Sequence, residues 1–439
     1  MAKQIKILII LFSISIVYTT CTFEEPDLFD KSAAERLMLA KERYRNALIA
    51  SPNGWVMDYF PTIEQKGYTF LVKFNENTSA VFAAKNELTR NAYATDTCVF
   101  EMIGDNGPVL TFNLAGGNTS VSNVGIFHIF ANPEDGYYGQ GVGYGGDYEF
   151  MTINETPEKI LLKGKKRGVY IELRRMKEGK NWEEYFKDLD DLNNWMFNKK
   201  IPRTLLTVND SIYTLDNGYS HVFIKIPKGG DPITESEEIP FIVTDKGIRF
   251  PKKFDINNKK IQTFHLSDDK NSLVCVDEGV NARITGIESV VDCFNNSIDE
   301  REMRWALKDD VNTMSPAVRS VYNRVVESFN SKKLTIGQIS YLYSSRFNSY
   351  AVYISTTTGV FGNLGMDKQS TSIGVNFEYK AALDNNGRTF YSSYDGIADL
   401  ITLMSGSFKI ETTFSLLNPS TVKLTNISNS NIWFLLELI

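Results

Sequence analysis

Residues 145–175 read GGDYEFMTINETPEKILLKGKKRGVYIELRR, and residues 405–438 read SGSFKIETTFSLLNPSTVKLTNISNSNIWFLLEL. Each stretch has a turn of small residues, a strand, a turn containing proline, a second strand, a polar hairpin and a final aromatic and aliphatic strand. Apolar residues that alternate with polar ones between short turns are typical of antiparallel strands. Because the pattern occurs twice, we predict an internal repeat. The alternative is that any two antiparallel β segments share this pattern.

The segments upstream extend the comparison. A helix is predicted before each stretch, over 31–50 and over 315–330. Ser32 and Glu35 form a capping box for the first, and Ser315 precedes a proline that suits the first turn of the second. The strand GYTFLVKF (67–74) is matched in pattern by SYAVYIS (349–355).

These patterns predict a mainly β chain. Two units, each a helix plus antiparallel strands in a barrel-like or sandwich-like arrangement, are expected to flank a β-rich middle segment. A further helix is predicted from Asn181 to Asn198, with the acidic run 188–191 on its solvated face, and another over 299–308. The expected divisions are a signal peptide (1–20), an acidic tether (21–30), a first helix-plus-β domain (31–198), a middle domain (199–298) and a second helix-plus-β domain (299–439).

The N-terminus indicates export. Lys3 and Lys6 precede the apolar run 7–17, which is too short to span a bilayer and is typical of a secretory signal peptide. Cys21 follows at once, which predicts a bacterial lipoprotein whose mature chain begins at the lipidated Cys21. Tyr18 departs from the aliphatic residue usual at that place, and the alternative is an ordinary signal peptide that ends near a cysteine.

Composition limits the partners. The formal net charge is −6, and removing residues 1–20 takes away two lysines and leaves −8. Nucleic acids and anionic lipids require a basic surface, so neither is expected as the main partner. Cys98, Cys275 and Cys293 remain after lipidation of Cys21. We expect buried thiols, with a disulfide between Cys275 and Cys293 as the alternative.

The sequence has no catalytic signature. His128, His221 and His265 each lie alone in a strand-like run without a second metal ligand nearby, so structural roles are expected and neither a metal nor a cofactor is predicted. The glycines at 141–146 satisfy G-x-G-x-x-G, but a strand follows where dinucleotide binding needs a helix.

The same segment is nevertheless the best candidate for binding. Residues 132–147 are rich in glycine and carry Tyr137, Tyr138 and Tyr144. Glycine lets a loop approach a partner closely, and tyrosine offers an apolar face with a polar tip. The three tyrosines are therefore candidates for stacking on sugar rings or packing on a peptide. The alternative is a loop whose tyrosines cover the end of a barrel core.

Several short motifs carry a resemblance to a known family. They are FDKS (29–32) with AER (34–36), SPNGWVM (51–57), GYTF (67–70), GGDYEF (145–150) and LLKGKK (161–166). Together they resemble the Bacteroidetes lipoproteins of domain-of-unknown-function family 4302. The resemblance implies lipidation and an outer-membrane address, often beside nutrient-uptake systems of the starch-utilisation type. Glu24 and Glu25 resemble the surface-export signals of that phylum.

No activity is established for that family, so no catalytic residue can be transferred. We expect a lipid-anchored outer-membrane protein that faces the exterior. Its predicted role is non-catalytic capture of a glycan or peptide, with a transporter complex as a possible partner. A hydrolase with an unrecognised site and a structural envelope protein are the alternatives.

Overall fold

The computed structural model describes residues 30–113, 125–131, 144–197, 204–286, 289–301, 303–310, 312–412, 417 and 419–439. Within these ranges the chain is mainly β, with three antiparallel barrel-like sheets of eight or nine strands and a few helices. The predicted fold class is therefore confirmed, and the first and last units are closed barrels. No helix in the described ranges is both long enough and apolar enough to cross a membrane.

The first unit is a closed barrel that follows helix α1, Ala33–Ile49. Its strands are β1 (Trp55–Tyr59), β2 (Tyr68–Phe74), β3 (Ser79–Ala84), β4 (Ala94–Gly104), β5 (Pro108–Asn113), β6 (Glu149–Glu155), β7 (Lys159–Gly164) and β8 (Tyr170–Arg175). Successive strands pair in order, and β1 also pairs with β8, which closes the barrel. Alternate residues point inward, and phenylalanines such as Phe70, Phe82 and Phe112 fill the interior in edge-to-face and stacked contacts.

Helix α2, Trp182–Met196, joins this barrel to the middle sheet. Tyr185 and Phe186 cover the outer face of the barrel against Val56 and Leu71. Met196, at the other end of the helix, is buried in the core of the middle sheet. The barrel core covers the inner side of β1 and helix α2 covers its outer side, so all five residues of the strand are buried, including Asp58.

The middle sheet has nine strands in the described residues. They are β9 (Thr204–Val208), β10 (Ser211–Asp216), β11 (Val222–Pro227), β12 (Glu237–Pro240), β13 (Ile242–Thr244), β14 (Gly247–Ile256), β15 (Lys259–Leu266), β16 (Ser272–Cys275) and β17 (Ala282–Thr285). Strands β12 and β13 are the two edges of this sheet, yet Phe241 alone separates them in the chain. The sheet therefore curls until its edges meet at Phe241, whose ring stacks on Phe223 at a centroid distance of 4.4 Å.

The last unit is the second closed barrel. Its elements are α3 (Val290–Arg301), β18 (Trp305–Leu307), α4 (Pro316–Ser331), β19 (Ile336–Ser344), β20 (Ser349–Thr356), β21 (Phe361–Thr371), β22 (Gly374–Ala382), α5 (Asn385–Ser393), α6 (Ile397–Leu403), β23 (Gly406–Thr412), β24 (Thr421–Asn426) and β25 (Trp433–Leu438). Strand β18 pairs with both β19 and β25 and closes the ring. Phe294 and Ile298 of α3 belong to this core, so the packing of the unit begins before residue 299.

The two barrels match the predicted internal repeat in their last three strands and differ upstream. The paired stretches 145–175 and 405–438 contain the sixth, seventh and eighth strands of their barrels. Upstream the order differs, because α4 follows the first strand of its barrel whereas α1 precedes β1. The helix in the place of α1 is α3, and the next strand begins in each case at a fully buried tryptophan, Trp55 or Trp305. The indole Nε1 of Trp55 donates to the carbonyl of Leu48 at 2.8 Å.

The helix predicted over 299–308 is wrong. Residues 305–307 are strand β18, and the helix runs from Val290 to Arg301 instead. Alternating charges suggested an exposed helix, but Trp305 and Ala306 are buried and pair with β19 and β25. Pairing with distant strands overrides the local charge pattern.

Candidate ligand-binding cleft

Of the three tyrosines in the candidate loop, Tyr144 lies in a described range, whereas Tyr137 and Tyr138 lie outside the described residues. Cys21, the predicted lipidation site, also lies outside them. The Tyr144 ring is partly buried against the first barrel core, 5.7 Å between centroids from Phe130. Its carbonyl accepts a hydrogen bond of 3.2 Å from Nε2 of Gln65. Phe130 in turn packs 4.6 Å from the ring of Tyr68. Tyr144 thus covers the end of the barrel, and a chain of rings leads from it to Tyr68.

Tyr68 lies on the wall of a cleft of about 250 Å³ between the first barrel, α2 and the middle sheet. The barrel contributes the start of β2 and the connection between β3 and β4. The far walls are α2, the edge strand β13 and the turn that holds Tyr219 and His221. The N–H of Gly67 donates to the carbonyl of Phe241 at 3.0 Å, which fixes the barrel against the edge of the sheet at this place.

Two tight turns position the polar groups of the cleft. Asn86 caps the turn 87–89 by accepting hydrogen bonds from the N–H groups of Leu88 and Thr89, and its own N–H donates to Oγ1 of Thr89. Asn91, with φ +57°, follows in the left-handed region, which asparagine adopts more readily than most residues. His221 has φ +61°, so it holds a left-handed conformation with a ring that the fold must support.

Glu87 is held by two donors. Its Oε1 accepts from Nζ of Lys66 at 2.8 Å and from the hydroxyl of Tyr68 at 3.0 Å. Burial opposes ionisation of Glu87, but the hydrogen bonds from Lys66 and Tyr68 outweigh it and lower the pKa below the usual value. The carboxylate is therefore ionised at neutral pH.

A second ion pair, between Lys85 and Asp190, spans the cleft from the barrel to α2. Each of the two lysines therefore has a carboxylate partner, and the four charges balance. A wall with balanced charge and many hydrogen-bonding groups favours a polar ligand over a strongly charged one.

His221 supplies a neutral imidazole. Its Nε2 lies 2.8 Å from Oδ1 of Asn193, and because an amide oxygen can only accept, Nε2 donates. Burial, and then the positive charge of Lys66, lower the pKa of His221 to about 4. Its partner is an amide oxygen, so the geometry shows a hydrogen-bonding group and no activated nucleophile.

The other groups singled out in the sequence lie apart from this cleft. His128 is buried, with Nε2 at 3.0 Å from the carbonyl of Phe112, and burial lowers its pKa. Cys98, Cys275 and Cys293 are buried free thiols, so the alternative of a Cys275–Cys293 disulfide is wrong. Among the described residues, no group of three or more His, Cys, Asp or Glu side chains could hold a metal ion.

Sequence reasoning did not find the cleft residues. The acidic run 188–191 is predicted on a solvated helix face, and the Asp190 side chain is 47% exposed, but the run gives no sign that Asp190 lines a cleft. The available signal was the asparagine-rich segment 86–91, whose Asn-x-x-Thr pattern indicates a capped turn. It does not show that residues near 190 and 220 meet it in space.

Comparison with solved structures gives long alignments with very low similarity. The crystal structure of the β subunit of DNA polymerase from Streptococcus pyogenes aligns over 91% of this chain and 98% of that chain, at 11% identity and a TM-score of 0.14. The β chain of DNA polymerase III from Streptococcus pneumoniae TIGR4 aligns over 92% of this chain and 98% of that chain, also at 11% identity and a TM-score of 0.14. The DNA polymerase sliding clamp from Pseudomonas aeruginosa aligns over 92% of this chain and 97% of that chain, at 7% identity and a TM-score of 0.14. TM-scores this low do not support a shared fold.

No curated protein matches the sequence. A match to a described family is found, over residues 25–268, which is more than half of the 439 residues. This region comprises the first barrel, α2 and most of the middle sheet, and so it includes every wall of the cleft. The chain belongs to the family described as domain of unknown function (DUF4302).

Proposed function

We propose that this protein is a lipid-anchored accessory protein of the outer membrane, facing the exterior, that binds a glycan or peptide without converting it. The observation that carries the proposal is the cleft between the first barrel and the middle sheet. It combines amide, carboxylate and ammonium groups with the aromatic rings of Tyr68 and Tyr219. Sites that fix a polar ligand by a few convergent hydrogen bonds and an aromatic face have this composition.

The size of the cleft limits what it holds. About 250 Å³ is slightly less than the ~300 Å³ at which small-molecule pockets begin. One sugar ring or one amino-acid side chain fits such a space, whereas a whole oligosaccharide does not. The ligand is therefore a longer chain of which one unit enters the cleft, and the rest lies on neighbouring surface.

The glycine-rich loop with Tyr137, Tyr138 and Tyr144 is the proposed neighbouring surface. Tyr144 is linked to the cleft wall through Phe130 and Tyr68, whose rings are in contact. Stacking on these tyrosines would extend the contact along the ligand. In this proposal the lipid on Cys21 attaches the protein to the membrane, where a transporter complex of the starch-utilisation type receives the ligand.

Binding is tested by screening the purified protein against a panel of glycans and peptides, scoring both retention and cleavage. Tyr219→Ala removes an aromatic face that is 38% exposed, and we expect affinity to fall by about fivefold or more, the equivalent of about 1 kcal/mol. Tyr170→Ala is the matched control, because Tyr170 is similarly exposed and does not line the cleft. Equal loss in both variants, or no ligand retained at all, contradicts the proposal, and cleavage of a panel member supports a hydrolase instead.

The loop and the anchor have separate tests. Replacing Tyr137, Tyr138 and Tyr144 together by alanine should weaken binding while the far-ultraviolet circular dichroism stays unchanged. Unaltered affinity would remove the loop from the site.

Metabolic labelling with a radioactive fatty acid should mark the wild type and not Cys21→Ala, and equal labelling would refute lipidation at Cys21.

A further inference from the structure

A second cavity, of about 240 Å³, lies at the end of β13, whereas the cleft lies at its start. Residues 242 and 243 line the cleft, and Thr244 and Asp245 line this cavity. Its remaining walls are β1, β7 and β8 of the first barrel and β14 and β15 of the middle sheet. Charged side chains from both units meet here.

Asp58 is the central acidic group and is only 1% exposed. Arg174 binds it with two hydrogen bonds, Nε to Oδ2 at 3.2 Å and Nη2 to Oδ1 at 3.0 Å. The remaining Nη1 of Arg174 donates to Oδ1 of Asp245 at 2.6 Å. Each oxygen of the Asp58 carboxylate thus accepts one hydrogen bond from Arg174, in the bidentate geometry that makes such pairs strong.

Arg249 is left with an unused donor. Its side chain is 7% exposed, and its Nη1 has no hydrogen-bond partner among the described residues. The closest carboxylate oxygen, Oδ2 of Asp58, lies 3.8 Å away, beyond hydrogen-bond range. Nη2 of Arg249 is 3.5 Å from Oε1 of Glu172, which Lys159 also approaches at 3.2 Å. A buried guanidinium with a free donor at the wall of a cavity is a strong anion-binding group.

The charges of the cavity are not balanced. Its walls contain four basic side chains, Lys159, Arg174, Lys246 and Arg249, and three acidic ones, Asp58, Glu172 and Asp245. His265, on the same wall, has a pKa lowered by burial and by Lys246, so it adds no charge at neutral pH. One positive charge is therefore left over. This differs from the balanced charges of the cleft.

We propose that this cavity is a binding site for a single carboxylate group, which accepts hydrogen bonds from Nη1 of Arg249 and neutralises the excess positive charge. Lys246, exposed at the edge of the cavity, attracts the anion to it. The site rests on Arg249 and on the charge count, and it does not depend on the ligand of the cleft. Sugar acids and acidic peptides both carry such a group.

The test is a titration of the purified protein with acetate, glucuronate, N-acetylglutamate α-amide and, as a neutral control, glucose, followed by calorimetry and by the melting temperature. We expect the three carboxylates, and not glucose, to bind and raise the melting temperature. Similar affinity for all three indicates recognition of the bare carboxylate, and tighter binding of glucuronate or of N-acetylglutamate α-amide identifies the sugar or peptide source. No binding of any carboxylate overturns the proposal.

Variants locate the binding. Arg249→Met should weaken acetate binding by about tenfold or more, because a charge-assisted hydrogen bond is lost. Lys260→Met is the matched control, since it removes one positive charge from an exposed pair with Asp255 outside the cavity.

Lys246→Met, at the exposed edge, covers the case in which Arg249→Met does not fold, and it should weaken binding several-fold. Wild-type affinity in the Arg249 variant, or in the Lys246 variant if the former does not fold, overturns the assignment. Tyr219→Ala should leave acetate binding unchanged, so this result is independent of the test of the cleft.

Discussion

His221 should make the stability of this protein fall in weak acid. The pKa of His221 in the fold is about 4, below the usual 6.5, because burial and the charge of Lys66 oppose its protonation. The unfolded chain therefore takes up the proton first as the pH falls. Stability from this group is complete above about pH 6.5 and is lost progressively as the pH falls toward about 4.

The size of the effect follows from the shift. A change of one in pKa corresponds to about 1.36 kcal/mol, so the lowering of the His221 pKa from 6.5 to about 4 gives an upper bound of about 3.4 kcal/mol. Because the side chain retains some solvent contact, solvent screening reduces this value, and we expect about 2 kcal/mol. The variant His221→Asn removes the titration and keeps a residue that tolerates the left-handed conformation at φ +61°.

The assay is urea denaturation of the wild type and the variant between about pH 4 and pH 8, followed by tryptophan fluorescence. Carboxylates titrate in both proteins, so their contribution cancels in the difference between the two free energies of unfolding. We expect that difference to change by about 2 kcal/mol across the range, with the wild type losing more. A difference that stays constant with pH would refute the burial argument. Lys66→Met removes the positive charge that opposes protonation of His221, so it should raise the pKa of His221 in an NMR titration.

Three further predictions concern the packing around the two cavities and the first core. Asp58→Asn should lower the free energy of unfolding by about 1–3 kcal/mol, because Arg174 loses its buried charged partner and keeps only the pair with the exposed Asp245. An unchanged free energy of unfolding in urea denaturation would contradict this. Gly67→Ala should destabilise the junction between barrel and sheet by about 1–3 kcal/mol, since its Cβ would lie 2.4 Å from Cβ of Ile242. Differential scanning calorimetry measures this, and an unchanged melting temperature contradicts it. Cys98, whose pKa burial raises to about 12, should react with a thiol reagent only after unfolding. Rapid labelling of the native protein, located by mass spectrometry, would show that the thiol is accessible.

The sequence by itself determined the local elements. Ser32, Asn181 and Ser315 are helix N-caps in the structure, as their side chains and the residues after them predicted, because a cap depends on groups within one turn of the chain. Strands such as β4 follow from alternation of apolar residues, which also depends only on neighbours, whereas β1 is buried on both faces and does not alternate. A mainly β fold class therefore needed no knowledge of the tertiary structure.

Barrel closure and both cavities were decided by the tertiary structure alone. Closure of the first barrel rests on pairing between β1 and β8, whose residues lie more than a hundred positions apart, and neither strand carries a signal for its partner. Strand β18 (305–307) shows the same dependence, since its pairing with β19 and β25 overrides a charge pattern that predicts a helix. Arg249 shows the same limit for function. Its Nη1 has no hydrogen-bond partner among the described residues although Oδ2 of Asp58 lies 3.8 Å away, and this arrangement of Asp58, Arg174 and Arg249 exists only because three strands from two sheets come together in space.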